Sequence, residues 1–133
     1  MLNQIVIENY KLTEPDMNSA KPNGFKSIPK GDVAYINPES DVKFVGIIEF
    51  VPNTGSRGNH YHKQKNEILY IISGKLKATY WEPNNISNKI TVIHEKGDKI
   101  TIPPLNYHAF EAIEHTTVLE ITTTPFDITD TFY

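Results

Sequence analysis

The chain has no cysteine and no long apolar segment. Without cysteine, disulfide bonds, thiolate metal ligands and cysteine nucleophiles are excluded, and a cytoplasmic location is natural. The longest apolar run, from Ile68 to Ile72, has five residues, whereas a membrane-spanning helix needs roughly 18. Met1 to Gln4 also lack the basic and apolar start of a signal peptide. We therefore expect a soluble cytoplasmic protein with no membrane partner.

The sequence also has no cluster of basic residues. The 13 Lys and Arg residues are balanced by 16 Asp and Glu residues, for a net charge of −3. Binding along a nucleic acid depends on neutralising phosphates, so we expect no nucleic-acid partner. A chain of 133 residues is long enough to close one core but short for two domains, and we predict a single domain.

A helical stripe is absent, and the residue types favour strands. Isoleucine outnumbers leucine 17 to 6, and β-branched side chains pack well on a pleated sheet. Leu76, Ala78 and Tyr80 alternate with polar residues, and Ile100 and Ile102 repeat the pattern. Such alternation predicts strands with one buried face.

Turn residues separate the predicted strands at short intervals. We interpret Gly74 and Gly97 as hairpin corners, and residues 43 to 123 as a meander of hairpins in an antiparallel sandwich or barrel. Residues 10 to 30 contain Pro15, Pro22 and Pro29 but no clear period. This segment is predicted to be a surface loop or arm.

Two histidines and a glutamate stand close together along the chain. His60 and His62 are two residues apart and would project from the same face of a strand. Glu67 begins the next apolar run, and a tight connection could return its carboxylate beside them. His108 shares a strand face with Phe110, which predicts that it too points into an apolar interior.

Burying these groups together is costly unless they are paired or bind a metal. Three imidazole nitrogens and one carboxylate oxygen suit one divalent metal ion, such as Zn, Fe, Mn, Ni or Cu, and ligand type alone does not select among them. His94 and His115 have no comparable neighbours in the sequence and are interpreted as surface residues.

The spacing of these residues resembles the cupin superfamily. Its first motif is matched by Gly55, the pair His60 and His62, Glu67 and Gly74, and its second by Gly97, Pro103 and His108. Leu105 stands where the second motif has its inner glycine, and Ala112 where it has a terminal asparagine. The resemblance implies an all-β, double-stranded β-helix (jelly-roll) barrel. We expect an N-terminal strand and loop or arm over residues 1–32, the barrel core over 33–125 and a C-terminal tail over 126–133.

Within the superfamily, the segment from Arg57 to Lys63 with Glu67 is similar to sugar-modifying cupins of polysaccharide biosynthesis. The C-terminal cupin of bifunctional capsular-sugar enzymes is also similar near Phe126, Asp127 and Asp130, and deoxyhexulose epimerases and ketoisomerases are more distant relatives. This resemblance implies an isomerase or epimerase that acts on a nucleotide-linked 4-keto deoxysugar by proton transfer next to the carbonyl.

The resemblance places His60 in two conflicting roles, because a histidine bound to metal has no lone pair left to accept a proton. His60 would be the base only in a metal-free enzyme; otherwise another group must move the proton. The candidates for proton transfer are Tyr61 and Tyr107, and those for substrate contact are Arg57, Tyr70 and Tyr80. For Arg57, a guanidinium offers paired donors to a sugar or diphosphate.

Two other functions remain open. The same three-histidine, one-glutamate set suits an Fe(II)-dependent dioxygenase, and a small cupin could also bind a sugar without catalysis. The superfamily commonly pairs its barrels through edge strands, so we expect a homodimer.

Overall fold

The computed structural model describes residues 5–133. Residues 1–4, on which the prediction about a signal peptide rests, lie outside the described residues. The described part forms eleven strands: β1 Val6–Asn9, β2 Gly24–Ile28, β3 Gly31–Tyr35, β4 Phe44–Phe50, β5 Arg57–His60, β6 Glu67–Ser73, β7 Lys75–Glu82, β8 Asn85–Glu95, β9 Asp98–Ile102, β10 Tyr107–Ala112 and β11 Thr116–Thr122. A short 3-10 turn covers Tyr10–Leu12. Among these residues no helix is long and apolar enough to cross a membrane.

The strands form two facing antiparallel sheets and one hairpin. One sheet has the order β1-β9-β6-β11-β4 and the other β5-β10-β7-β8, while β2 pairs with β3. Apolar side chains from both sheets meet in one core, as two stacked sheets require. The all-β jelly-roll barrel predicted from the sequence is confirmed.

The predicted meander of hairpins is wrong in its connections. From β4 to β11 the chain passes from one sheet to the other at every step except between β7 and β8, which pair as a hairpin. Gly74 and Gly97 therefore lie at corners where the chain changes sheets. Turn residues mark where a strand ends, but the next strand's partner depends on which face each strand buries.

The alternation within strands agrees with the expectation. Leu76, Ala78 and Tyr80 on β7 are buried, as are Ile100 and Ile102 on β9. In the segment interpreted as a loop or arm, β2 instead begins the β2–β3 hairpin.

His94 was expected at the surface, and this expectation is wrong. It is 0% exposed and lies opposite Leu76 in the β7–β8 pairing. Its Nε2 lies 2.7 Å from the hydroxyl of Tyr80, and its Nδ1 lies 3.9 Å from Asp98 Oδ2. Burial lowers the pKa of His94 to about 4. The exposed His115 agrees with the surface interpretation.

The burial of His94 predicts a loss of stability in mild acid. Unfolding restores the ordinary affinity of the ring for a proton, so the unfolded chain binds more protons between pH 6.5 and 4. Stability should fall as the pH drops through that window, by about 3 kcal/mol if the full shift operates. Urea unfolding at several pH values measures this change.

A double variant, Tyr80→Phe with His94→Leu, should make this pH dependence less steep but not remove it, because the lowered pKa of His60, about 4, still contributes. The replaced pair leaves no unsatisfied hydroxyl. His115→Gln is the matched control and should leave the pH dependence as in the wild type. An equally steep loss of stability in the double variant would show that other groups cause it.

Candidate functional site

Four side chains from both sheets meet at one end of the barrel. His60, His62, Glu67 and His108 each offer one ligand atom, and these atoms all lie within 4.8 Å of one another. His60 ends β5 and Glu67 begins β6 in the opposite sheet. His62, Glu67 and His108 are buried, and His60 is half-buried. The structure thus brings together the four residues predicted as ligands.

A bulge between β5 and β10 brings two of the histidines together. His108 pairs with His60, but the next residue, Ala109, pairs with Gly58, so Asn59 is the extra residue of the bulge. Gly58 has φ +89°, and a Cβ at this position would lie 2.9 Å from the carbonyl oxygen of His108. Glycine therefore permits the close approach that leaves the two ring centroids 4.8 Å apart.

Backbone carbonyls fix the orientation of two imidazole rings. His62 Nδ1 contacts the carbonyl oxygen of Asp130, and His108 Nδ1 lies 3.0 Å from that of Asn106. A carbonyl oxygen only accepts hydrogen bonds, so each Nδ1 carries the proton and donates it. In the neutral rings, the Nε2 lone pairs then face Glu67, at 3.0 Å from Oε1 for His62 and 3.5 Å from Oε2 for His108.

This arrangement fits a bound cation. The contact of His62 Nε2 with Glu67 has the length of a hydrogen bond but not its geometry, and this buried nitrogen has no hydrogen-bond partner among the described residues. Burial alone would lower the pKa of His62, but its contacts with Glu67 and with the Asp130 carbonyl raise it, because a lone pair facing a carboxylate oxygen is unfavourable unless a proton or a cation lies between them. A divalent metal bound by three nitrogens and one oxygen would satisfy all four donors.

The charges of the site keep Glu67 ionised. Burial alone would raise the pKa of Glu67, but its contacts with His62, His108 and Lys65 hold this pKa well below its usual range. For His60, burial and the nearby His108 lower the pKa to about 4. At neutral pH the site therefore presents a carboxylate and a neutral His60 ring, the protonation states that a metal ligand needs.

The ligands line one side of a cavity of about 210 Å³. Two charged residues that the sequence analysis did not single out also line it: Lys65 and Glu120. Lys65 Nζ lies 3.0 Å from Glu67 Oε1 and 3.1 Å from Glu120 Oε2. One ammonium group thus bridges the ligand carboxylate and a second carboxylate.

The burial of Glu120 could have been predicted from the sequence. Val118, Glu120 and Thr122 alternate along β11, and all three are buried. A charged residue in phase with a core valine on a predicted strand indicates a cavity or an ion pair. Lys65 left no such signal, because it lies in the connection between His62 and Glu67, whose path strand periodicity does not predict.

Arg57, which was predicted as a substrate contact, also lines the cavity. Its Nη1 donates to the carbonyl oxygen of Glu49 at 2.8 Å, and its guanidinium lies 5.3 Å from the centroid of the Phe50 ring. These two contacts hold the guanidinium at the cavity wall.

The four tyrosines lie elsewhere. Tyr61 packs against Tyr107 and Phe132, with ring centroids 5.6 and 5.5 Å away, and Tyr107 stacks on Trp81 at 4.4 Å. None of these rings lines the cavity. The catalytic roles predicted for Tyr61 and Tyr107 therefore stay predictions that this placement does not support.

Tyr70 and Tyr80 are also remote from the cavity lining. The ring of Tyr70 packs 6.2 Å from that of Tyr10. Tyr80 lies in the hydrophobic core with its hydroxyl bonded to His94. Both were predicted as substrate contacts from their residue type, and the cavity offers neither ring to a ligand.

The turn before β10 supports two ligands. The carbonyl oxygen of Asn106 accepts from His108, and the N–H of Leu105 donates to the carbonyl oxygen of His62 at 2.7 Å. Leu105 has φ +66°, the conformation that glycine adopts at low cost. The turn thus keeps a left-handed residue at the position where the family motif has glycine.

Comparisons with known proteins agree with this architecture. A family model described as a cupin domain matches residues 46–124. A search of curated protein sequences finds no significant match.

Solved structures of sugar-modifying enzymes share the fold. QdtA, a sugar 3,4-ketoisomerase from Thermoanaerobacterium thermosaccharolyticum in complex with TDP, is 18% identical with a TM-score of 0.77, covering 99% of this chain and 89% of that one. WlaRB, a TDP-quinovose 3,4-ketoisomerase from Campylobacter jejuni, is 15% identical with a TM-score of 0.76, covering 98% and 92%. CapF, a capsular polysaccharide assembling protein from Staphylococcus aureus, is 23% identical with a TM-score of 0.63, covering 82% of this chain but 31% of CapF.

The conformation of Leu105 predicts an unusual tolerance to glycine. Leu105→Gly loses some apolar contact and adds unfolded-state entropy, but it relieves a left-handed strain of about 1–2 kcal/mol. Ile113→Gly is the matched control, because Ile113 is 50% exposed, close to the 54% of Leu105, and is not among the positive-φ residues. By urea unfolding, Leu105→Gly should cost about 1–2 kcal/mol less than the control; equal costs would contradict the strain.

Proposed function

Because the chain belongs to the cupin domain family, we propose that it is a metal-dependent isomerase or epimerase of a nucleotide-linked 4-keto deoxysugar. The observation that carries this proposal is the convergence of four ligand atoms within 4.8 Å in the wall of a cavity. The reaction would move the proton on the carbon next to the sugar carbonyl.

In this proposal His60, His62, Glu67 and His108 hold one divalent ion. When bound, the ion supplies Lewis-acid polarisation of the keto oxygen, which makes the neighbouring C–H more acidic. The carbonyls of Asp130 and Asn106 aim two of the imidazoles at it. Lys65 offsets part of the negative charge of Glu67.

The size of the cavity supports a sugar as the reacting part of the substrate. About 210 Å³ is less than the roughly 300–1,000 Å³ typical of small-molecule sites. A sugar ring would fit inside, whereas the nucleotide would remain outside the mouth. Arg57, held at the wall, is suited to contact the diphosphate. A structure of a mutant of the similar ketoisomerase QdtA is in complex with TDP-4-keto-6-deoxyglucose.

Proton transfer requires a group other than a metal-bound histidine. Glu120 is, besides Glu67, the carboxylate among the described residues that line the cavity. We assign it the acceptance of the sugar proton, with Lys65 holding its Oε2 in place at 3.1 Å. This assignment replaces the tyrosines, whose rings lie outside the cavity.

The metal half of the proposal predicts one divalent ion per chain in the wild-type protein. His60→Ala and Glu67→Gln should each lose most of it, because each removes a ligand atom. Elemental analysis of untagged protein measures the content, and His115→Ala, an exposed histidine beside Glu49, is the control that should retain it. Negligible metal in the wild type would contradict the centre and return His60 to the role of base.

The sugar half predicts deuterium incorporation from solvent into TDP-4-keto-6-deoxyglucose or a related 4-keto sugar nucleotide. Glu120→Gln should slow this exchange by about 100-fold or more while keeping its metal, because it removes the proton acceptor. NMR of the sugar measures the exchange, and Glu111→Gln, on an exposed position of β10, is the matched control.

Other outcomes would identify the competing functions. Full exchange in Glu120→Gln together with a loss in Tyr61→Phe or Tyr107→Phe would restore a tyrosine as the proton carrier. No exchange across a panel of 4-keto sugars, combined with oxygen uptake by the iron-loaded protein, would instead identify a dioxygenase. Ligand-induced thermal stabilisation without turnover would indicate a binding protein.

A further inference from the structure

Asp130 makes an unusual set of contacts near the end of the chain. Its Oδ1 accepts from the backbone N–H of Lys63 at 2.8 Å, and its Oδ2 accepts from those of Gln64 and Lys65 at 3.1 and 3.0 Å. These three consecutive residues form most of the connection between His62 and Glu67. One carboxylate therefore ties down the backbone that joins two of the four ligands.

The backbone of the same residue reaches a ligand directly. The carbonyl oxygen of Asp130 accepts the hydrogen bond from His62 Nδ1, and so directs His62 Nε2 toward Glu67. Two residues further on, Phe132 exchanges two backbone hydrogen bonds of 3.0 Å with Tyr61. This bridge aligns the segment around Asp130 with the segment that carries His60 and His62.

We infer that Asp130 is a positioning residue of the metal centre, which holds the connection from His62 to Glu67 in the geometry that binds metal. This inference rests on the metal centre proposed above. It does not require Asp130 to touch the ion, since partners of ligands typically change metal affinity by about 10- to 100-fold.

The contacts explain why a carboxylate is needed at this position. Two carboxylate oxygens accept all three N–H groups, whereas an asparagine side chain has one accepting oxygen and an NH₂ that cannot accept. Alanine offers no acceptor and leaves three backbone donors without their partner. Among the described residues, the side chain of Asp127, in the same segment, accepts hydrogen bonds from Thr129. Its carbonyl oxygen, which accepts from the N–H of Asp130, is retained in alanine, so Asp127→Ala provides a matched control.

The test compares wild type, Asp130→Ala, Asp130→Asn and Asp127→Ala. Zn²⁺ affinity is measured by chelator competition, and the visible spectrum is recorded at saturating Co²⁺. We expect Asp130→Ala to bind Zn²⁺ about 10- to 100-fold more weakly and to show an altered Co²⁺ spectrum, with Asp130→Asn in between. Asp127→Ala should match the wild type in both measurements.

A second measurement does not depend on metal. Amide hydrogen exchange of Lys63, Gln64 and Lys65 in the metal-free protein should be slow in the wild type and fast in Asp130→Ala. Exchange elsewhere in the barrel reports whether the variant is folded; if Asp130→Ala does not fold, Asp130→Asn carries the comparison.

The outcomes separate the two proposals. A wild type that binds no Zn²⁺ overturns the metal centre, and with it the role of Asp130 toward the ion, while amide exchange still decides whether Asp130 holds the connection. A wild type that binds Zn²⁺, with Asp130→Ala and Asp130→Asn equal to it in affinity and spectrum, overturns the positioning role and leaves the metal centre standing. Fast exchange of the three amides in the wild type also overturns it.

Discussion

One buried carboxylate is the constraint on which the rest of the site depends. Glu67 lies inside the barrel, where an isolated negative charge is strongly unfavourable. The chain surrounds it with His62, His108 and the ammonium of Lys65. Backbone carbonyls direct both imidazole lone pairs toward this carboxylate, and Lys65 is shared with Glu120. A proton on His62, whose pKa Glu67 raises, or a metal cation in its place would complete the balance of charge.

The crossing of the chain between sheets makes this convergence possible. β5 and β10 lie side by side in one sheet and present His60 and His108, while β6 in the opposite sheet presents Glu67. The ligands thus approach from both walls of the barrel. The side chain of Asp130 holds the backbone of the connection from His62 to Glu67. The N–H of Leu105, in the turn before β10, holds the carbonyl oxygen of His62.

The charged residues that line the cavity are suited to different roles. One group, centred on Glu67, is suited to hold a metal, and the Lys65–Glu120 pair beside it is suited to move a proton. Arg57 is held at the wall by the Glu49 carbonyl and the Phe50 ring. Because the three solved structures named above are 15–23% identical to this chain, the proposed function rests on this cavity more than on their activities.

Alternation of residues within strands predicted much of the fold and of the candidate site. Alternation with period two predicted the buried faces of β7 and β9. The same rule put His60 and His62 on one face of their strand, and Glu67 and His108 on the inward faces of theirs. The all-β fold followed from the same patterns and from the cupin motifs. These features depend on residues a few positions apart, which a strand places in a fixed relation whatever the rest of the chain does.

Contacts between distant segments were decided only by the tertiary structure. His94 is in phase with Val92, which packs against the core, so alternation along β8 was a signal for its burial. Its partner, the hydroxyl of Tyr80, comes from the neighbouring strand β7. The tyrosines fall outside the cavity, and Lys65 and Glu120 meet inside it, because the path of the connections and the pairing of the sheets set those positions. Asp130 reaches the His62–Glu67 connection across more than 60 residues. No local pattern encodes such a contact, because it forms only when the sheets have closed.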